Sequence, residues 1–139
     1  MIFLDTNVFI RFFTKDDPKK AAVCLRLFQR IEKGEVEATF SESVLAEVVY
    51  WLSKRNRTGY GLTPPEITER LSPLLQLKGM KVVYKGIYIR ALELYAQHLH
   101  LDVEDALTIA HMEHLKISTL MSYDTDFDSV PLIKRQEPI

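Results

Sequence analysis

The chain has little of what fixes structure by chemistry rather than by packing. A single cysteine, Cys24, allows no internal disulfide and suits a reducing compartment. Glycine supplies only 5 of 139 residues, and no Gly- or Ser-rich linker, internal repeat or low-complexity tract is present. Collagen-like, disulfide-scaffold and wholly disordered readings are thereby excluded. The longest unbroken apolar run covers residues 48–52, far short of the roughly 20 residues of a membrane span. Met1-Ile-Phe-Leu-Asp5 has no basic secretory start, so the expected location is the cytoplasm. Charge of one sign is also missing. Lys and Arg number 18 against 19 Asp and Glu, which is not the footprint of a protein that grips nucleic acid by bulk charge.

What is present, 47% hydrophobic and 27% charged residues, suits one globular domain over residues 1–139. Residues 1–5 read as a short buried strand closed by Asp5. Residues 7–14 read as a helix apolar on nearly every face through Val8, Phe9, Ile10, Phe12 and Phe13, hence buried or shared with a partner. Asp17 as N-cap and Pro18 at the first position start the next helix. Its core spacing is Ala21, Ala22, Cys24, Leu25, Phe28 and Ile31, and Gly34 stops it. Residues 35–40 alternate as a half-buried strand. Ser41 or Ser43 caps a helix running to about Asn56. Thr63-Pro64-Pro65-Glu66 opens another, which Pro73 is expected to kink or divide.

Farther on, residues 81–83 are a strand candidate and residues 87–99 a helix. Asp102-Val-Glu-Asp105 starts a further helix, with acids where its dipole favours them. Residues 117–122 read as a strand, 123–128 as a polar loop and 132–134 as a last short strand. Strands alternating with helices predict an α/β layer fold with a mainly parallel sheet. Ligands of such sheets collect at the carboxyl ends of the strands.

Four acids fall near those ends: Asp5 after the first strand, Glu47 in the helix after the second, Asp105 in a first helical turn, and Asp124 after a later strand. Taken singly, Asp105 reads as a helix-start acid and Asp124 as a turn residue. A short apolar strand, however, gives Asp5 no structural reason to end it. Four carboxylates brought together repel, and a hard divalent cation such as Mg²⁺ or Mn²⁺ offsets that most naturally. Such an ion polarises phosphoryl oxygens and lowers the pKa of bound water, so the chemistry implied is phosphodiester hydrolysis.

Leu4-Asp5-Thr6-Asn7-Val8 resembles the opening motif of PIN-domain ribonucleases. Ser43-Val-Leu-Ala-Glu47-Val-Val49 resembles their second motif, Asp105-Ala-Leu-Thr-Ile-Ala110 the third and Ser122-Tyr-Asp124-Thr-Asp126-Phe127 the fourth. The resemblance covers essentially the whole chain, and a domain this small is similar to the toxin of VapBC-type toxin–antitoxin pairs. It implies a PIN-like three-layer fold, a mainly parallel sheet of four or five strands flanked by helices. It also implies Mg²⁺- or Mn²⁺-dependent endoribonuclease activity, with Asp5, Glu47, Asp105 and Asp124 as catalytic and metal-binding acids. Thr6, Asn7 and Ser122 would support the site; Ser122 stands where the family often has Thr. The fourth acid is Asp124 or Asp126, and Asp102 either joins the site or caps its helix, the cap being preferred.

Competing chemistries fit less well. The acids Asp124, Asp126 and Asp128 resemble the start of a calcium loop, but Ser129 stands where Gly is needed and Arg135 where Glu is needed. An aspartyl phosphatase needs a second Asp where Asn7 stands. His111 and His114 are three apart, not the four of a helical zinc pair, and His98 and His100 flank a helix end. Two other functions remain open: a catalytically silent PIN-like binding module, and a metal-dependent nuclease outside toxin–antitoxin systems.

Setting the four acids aside leaves fifteen acids against eighteen bases, enough to attract a phosphate backbone modestly. The candidate RNA contacts are Lys54, Arg55 and Arg57, which end the helix of Glu47, and Arg11, with Lys15, Lys19 and Lys20 nearby. The apolar first helix and Tyr50-Trp51 read as surface covered by another chain. The family resemblance implies a homodimer and a cognate antitoxin protein.

Overall fold

The computed structural model describes residues 1–55, 57 and 59–139. Strand β1 (Ile2–Phe3) leads into α1 (Thr6–Phe13) and α2 (Pro18–Lys33), and β2 (Ala38–Thr39) into α3 (Glu42–Ser53). Then come α4 (Pro64–Leu75), α5 (Lys85–Gln97), α6 (Val103–Leu115), β3 (Thr119–Met121), a 3₁₀ turn (Thr125–Ser129) and β4 (Lys134–Gln136). The fold is α/β, and every strand pairing among the described residues is parallel.

The helix starts follow their capping chemistry. Asp17 accepts the Lys20 N–H at 3.1 Å, Ser41 rather than Ser43 accepts that of Val44 at 3.3 Å, and Thr63 accepts that of Glu66 at 3.4 Å. Gly34 ends α2 at φ 77°, a left-handed conformation that suits glycine. Helix α3 ends at Ser53, and the expected end at Asn56 lies outside the described residues. Pro73 does not divide α4, because it stands in the last turn and the carbonyl it deprives of a partner belongs to exposed Glu69.

Packing corrects other expectations. The parallel pairing is divided between two two-stranded ladders, β1 with β2 and β3 with β4, rather than continued through one sheet of four or five strands. β1 is therefore not a buried strand: Ile2 is 40% and Phe3 64% exposed, and only Leu4, at 2%, reaches the core. Residues 81–83 form no strand. Met80 alone bridges to Ala38, and the chain turns away into α5. Residues 123–128 are ordered by the 3₁₀ turn, which buries Phe127. In α2 only Phe28 and Ile31 are fully buried, while Leu25 is exposed and Cys24 half-buried, because α2 packs on α1 alone among its helical neighbours.

Helix α1 buries Phe9 and turns part of its remaining apolar surface inward. It packs on α2 and α3, with Phe9 against Phe28 and Phe40 and Phe12 4.6 Å from Phe28. Val8, Ile10, Phe12 and Phe13 stay half-buried. Helix α3 touches α1, α4 and α6, and α5 packs against α4 and α6. No helix among the described residues is long and apolar enough to cross a membrane.

Two glycines separate backbone approach from mere permissiveness. A Cβ on Gly79 would lie 2.2 Å from the Val36 carbonyl oxygen and 2.7 Å from that of Ile31, where the chain closes on β2. On Gly86, in the first turn of α5, it would meet nothing within 4 Å. Gly79→Ala is expected to cost about 1–3 kcal/mol, and Gly86→Ala to be neutral or to gain up to about 1 kcal/mol. Urea unfolding checks both. Equal midpoints for the two variants would contradict the close approach at Gly79.

Candidate active site

The first pair of acids meets at the carboxyl end of β1. Asp5 is the N-cap of α1, yet its side chain makes no capping bond and is left for other work. The next residue, Thr6, is buried, and its Oγ1 donates to Glu47 Oε2 at 2.9 Å. That bond ties α1 to α3 and orients Glu47. Asp5, Thr6, Asn7, Ile10, Arg11, Glu47, Trp51 and Tyr60 line one cavity of about 280 Å³. Helix geometry selects most of them: Asn7 and Arg11 are four apart on α1, as are Glu47 and Trp51 on α3, so each pair shares a face.

The second group lies at the start of α6 and just after β3. Asp102 and Asp105 form a capping box, in which the Asp105 N–H donates to Asp102 Oδ1 at 2.8 Å and the Asp102 N–H to Asp105 Oδ2 at 3.4 Å. Asp102 is thus the cap that its position predicts, and also Asp105's charged neighbour. Asp124 Oδ1 accepts the Asp126 N–H at 2.9 Å, and the Asp124 N–H donates to Ser122 Oγ at 3.0 Å. Burial, then the charges of Asp102 and Asp124, push the Asp105 carboxyl up to about 6. Asp124 therefore acts electrically on Asp105. Asp126 is exposed, and its carbonyl accepts from Ser129 Oγ at 3.1 Å.

Helices α3 and α6, which carry Glu47 and Asp105, touch. Ala46 and Glu104, the chain neighbours of Glu47 and Asp105, line one groove of about 300 Å³. His111 closes part of it, with Nε2 2.8 Å from Glu42 Oε1. Even so, among the described residues no three of His, Cys, Asp and Glu stand close enough to share an ion as folded.

Seven acids are ion-paired among the described residues, and the candidate acids are among those that are not. Asp17, Glu35, Glu42, Glu93, Glu113, Asp128 and Glu137 each pair with a base, whereas Asp5, Glu47, Asp102, Asp105, Asp124 and Asp126 pair with none among the described residues. Asp128 is spent on Arg135 at 2.7 Å. Of the basic candidates, Arg11 enters the cavity. Lys54 Nζ lies 4.9 Å from the Trp51 ring centre and 5.3 Å from that of Tyr50, and Arg55 and Arg57 are exposed. Lys20 is already engaged with Asp17 at 3.8 Å. The cavity also takes in Tyr60, which no motif marks, and Trp51, which follows Glu47 by four residues on α3.

Residues 2–132 match the family model described as the PIN domain. Comparison with curated proteins gives no match.

The raised carboxyl of Asp105 carries a signed consequence. A group protonated more readily when folded than unfolded stabilises the fold below its unfolded pKa of 3.8, and that contribution is lost as pH rises through about 6. Asp105→Asn keeps an acceptor for the Asp102 N–H and removes the ionisation. In chelator it is expected to be more stable than wild type above pH 6, by about 1 kcal/mol after solvent screening, with the gain vanishing near pH 4. Thermal melts across this range check it. A variant less stable at pH 7.5 would contradict the crowding of Asp105.

Proposed function

Since the chain belongs to the PIN-domain family, whose members are usually nucleases, we propose that it is a metal-dependent endoribonuclease acting as the toxin of a toxin–antitoxin pair. The observation that carries this reading is the set of carboxylates without basic partners at the carboxyl ends of β1 and β3, two of them opening on one cavity.

The donor set fits a hard divalent cation. Every candidate ligand is a carboxylate oxygen, and the crowding at Asp105 is the excess of negative charge that a cation relieves. Mg²⁺ is often held by one or two carboxylates plus substrate phosphate, so a complete protein cage is not required. Asp5, Glu47, Asp105 and Asp124 would hold it together with the substrate phosphate. When bound, the ion supplies charge neutralisation at the phosphoryl group and water of lowered pKa.

The chain's own groups do the positioning. Thr6 fixes one oxygen of Glu47, Ser122 holds the backbone of Asp124, and Asp102 orders the first turn that presents Asp105. Arg11 brings the one positive charge among the cavity's lining residues, opposite the phosphate charge of a substrate. A catalytically silent PIN scaffold is the second reading, and the absence of a three-acid cluster among the described residues favours it. Mn²⁺ binding measured by calorimetry separates the two.

A homodimer and an antitoxin belong to the same proposal, as does a cytoplasmic setting. What supports a covering chain is β1 and its start, where Met1 is 77% and Phe3 64% exposed, with the half-buried apolar residues of α1. Sedimentation at micromolar concentration should give a dimer or larger species.

Purified protein with Mg²⁺ or Mn²⁺ should cut RNA, and EDTA should stop it. Asp5→Asn should lower the rate by orders of magnitude while leaving stability in chelator unchanged or raised. Full cleavage in excess EDTA, or by Asp5→Asn, would overturn the mechanism. Growth arrest on induction that Asp5→Asn relieves would support the toxin role.

A further inference from the structure

The cavity of Asp5 and Glu47 has an aromatic wall that hydrolysis alone does not need. Trp51 follows Glu47 by one turn of α3, and Tyr60 comes back beside it. The Tyr60 hydroxyl donates to Asp16 at 2.5 Å and its N–H to the Trp51 carbonyl at 3.3 Å. Beyond it, the Gly61 N–H donates to the Lys54 carbonyl at 2.9 Å and that of Leu62 to the Leu52 carbonyl at 2.8 Å. The wall is therefore tied to the end of a packed helix. Both rings are only half-buried and keep area open to a ligand.

Cations border this wall on two sides. Arg11 lines the cavity, and the Lys54 ammonium stands 4.9 Å from the centre of the Trp51 ring. Rings with cations beside them are how proteins hold unpaired nucleotides, the base stacking on the ring and the phosphate meeting the charge. The volume, about 280 Å³, falls just below the roughly 300–1,000 Å³ of pockets for whole small molecules, so one base with its phosphate fits and a duplex does not. A paired base keeps its faces covered by its neighbours and cannot offer one to Trp51.

We propose that Trp51 and Tyr60 are the platform for one splayed base of a single-stranded RNA, with Arg11 on the adjoining phosphate. The platform selects unpaired RNA and sets the nucleotide presented to Asp5 and Glu47. This rests on the nuclease reading and assigns its substrate form.

Trp51 is the only tryptophan of the chain, so its fluorescence reports on this wall alone. The wild-type protein, in EDTA to prevent cleavage, is titrated with a 2′-O-methylated single-stranded oligonucleotide and with its duplex. Saturable quenching by the single strand is expected, with the duplex at least about fivefold weaker. By anisotropy of the labelled strand, Trp51→Leu should weaken binding at least about fivefold and Trp51→Phe, which keeps a ring, much less. Arg11→Gln should lower the slope of log affinity against log salt by about 0.7.

Binding without quenching, equal affinity for duplex, or an unaffected Trp51→Leu would overturn the platform. So would quenching by a second copy or a partner protein but not by the oligonucleotide, which would put the ring at a protein interface. The two levels fail separately. If Asp5→Asn stops cleavage while Trp51→Leu keeps its KM, the platform is wrong and the nuclease stands. If wild type cuts no RNA with Mg²⁺ yet the single strand still quenches Trp51, the nuclease reading is wrong.

Discussion

Carboxylates held close together repel one another, and this fold places most of its candidate acids where a helix start offsets that repulsion. Asp5 is the N-cap of α1, Asp102 and Asp105 open α6, and Asp124 caps the 3₁₀ turn after β3. The first turn of a helix presents unsatisfied N–H groups and a partial positive charge, which stabilise an anion there. Glu47 stands in mid-helix without that help and takes the Thr6 hydroxyl instead. The offset is incomplete at Asp105, whose carboxyl is held well above its ordinary range. That residual excess of negative charge, without a basic partner among the described residues, is what the chemistry would use.

Packing explains how a small chain keeps this arrangement. Helix α3 turns Val44, Leu45, Val48, Val49 and Leu52 into the core, and it touches α1, α4 and α6. The same periodicity puts Glu47 and Trp51 on its open side. Each buried residue of α3 thus holds the face that carries Glu47 and Trp51. The strands contribute little area, since β1 and β2 are two residues long, but they set where Asp5 leaves the sheet and where α3 begins. The second edge of β2 is closed by residues 79–81, the Ala38 N–H donating to the Gly79 carbonyl at 2.9 Å and the Lys81 N–H to the Ala38 carbonyl at 2.7 Å.

Capping signals were the most legible part of the chain, because they depend on a few adjacent residues. Asp17-Pro18, Thr63-Pro64 and Asp102 through Asp105 start helices where local chemistry requires it. Strand extent was less legible. Alternation over residues 35–40 predicted the right buried face, with Ala38 and Phe40 inside, but only two of those residues pair as a strand. The pairing of β3 with β4 instead of β1 is a tertiary outcome that no local pattern encodes. Asp5 and Glu47 could be placed on one site because their motifs are local. Tyr60 could not, since it reaches the cavity through a return of the chain past α3 that depends on hydrogen bonds to Lys54 and Leu52.

The central claim is that the acids of α1 and α3 and those of α6 and the 3₁₀ turn act as one metal-dependent site. Mn²⁺ affinity measured by calorimetry for wild type, Glu47→Gln, Asp124→Asn and the double variant tests it most directly. If the groups serve one site, each single change weakens binding and the double change costs less than their sum, with a coupling of about 1 kcal/mol or more. Losses that add within about 0.5 kcal/mol, or a wild type that binds no Mn²⁺, would contradict it.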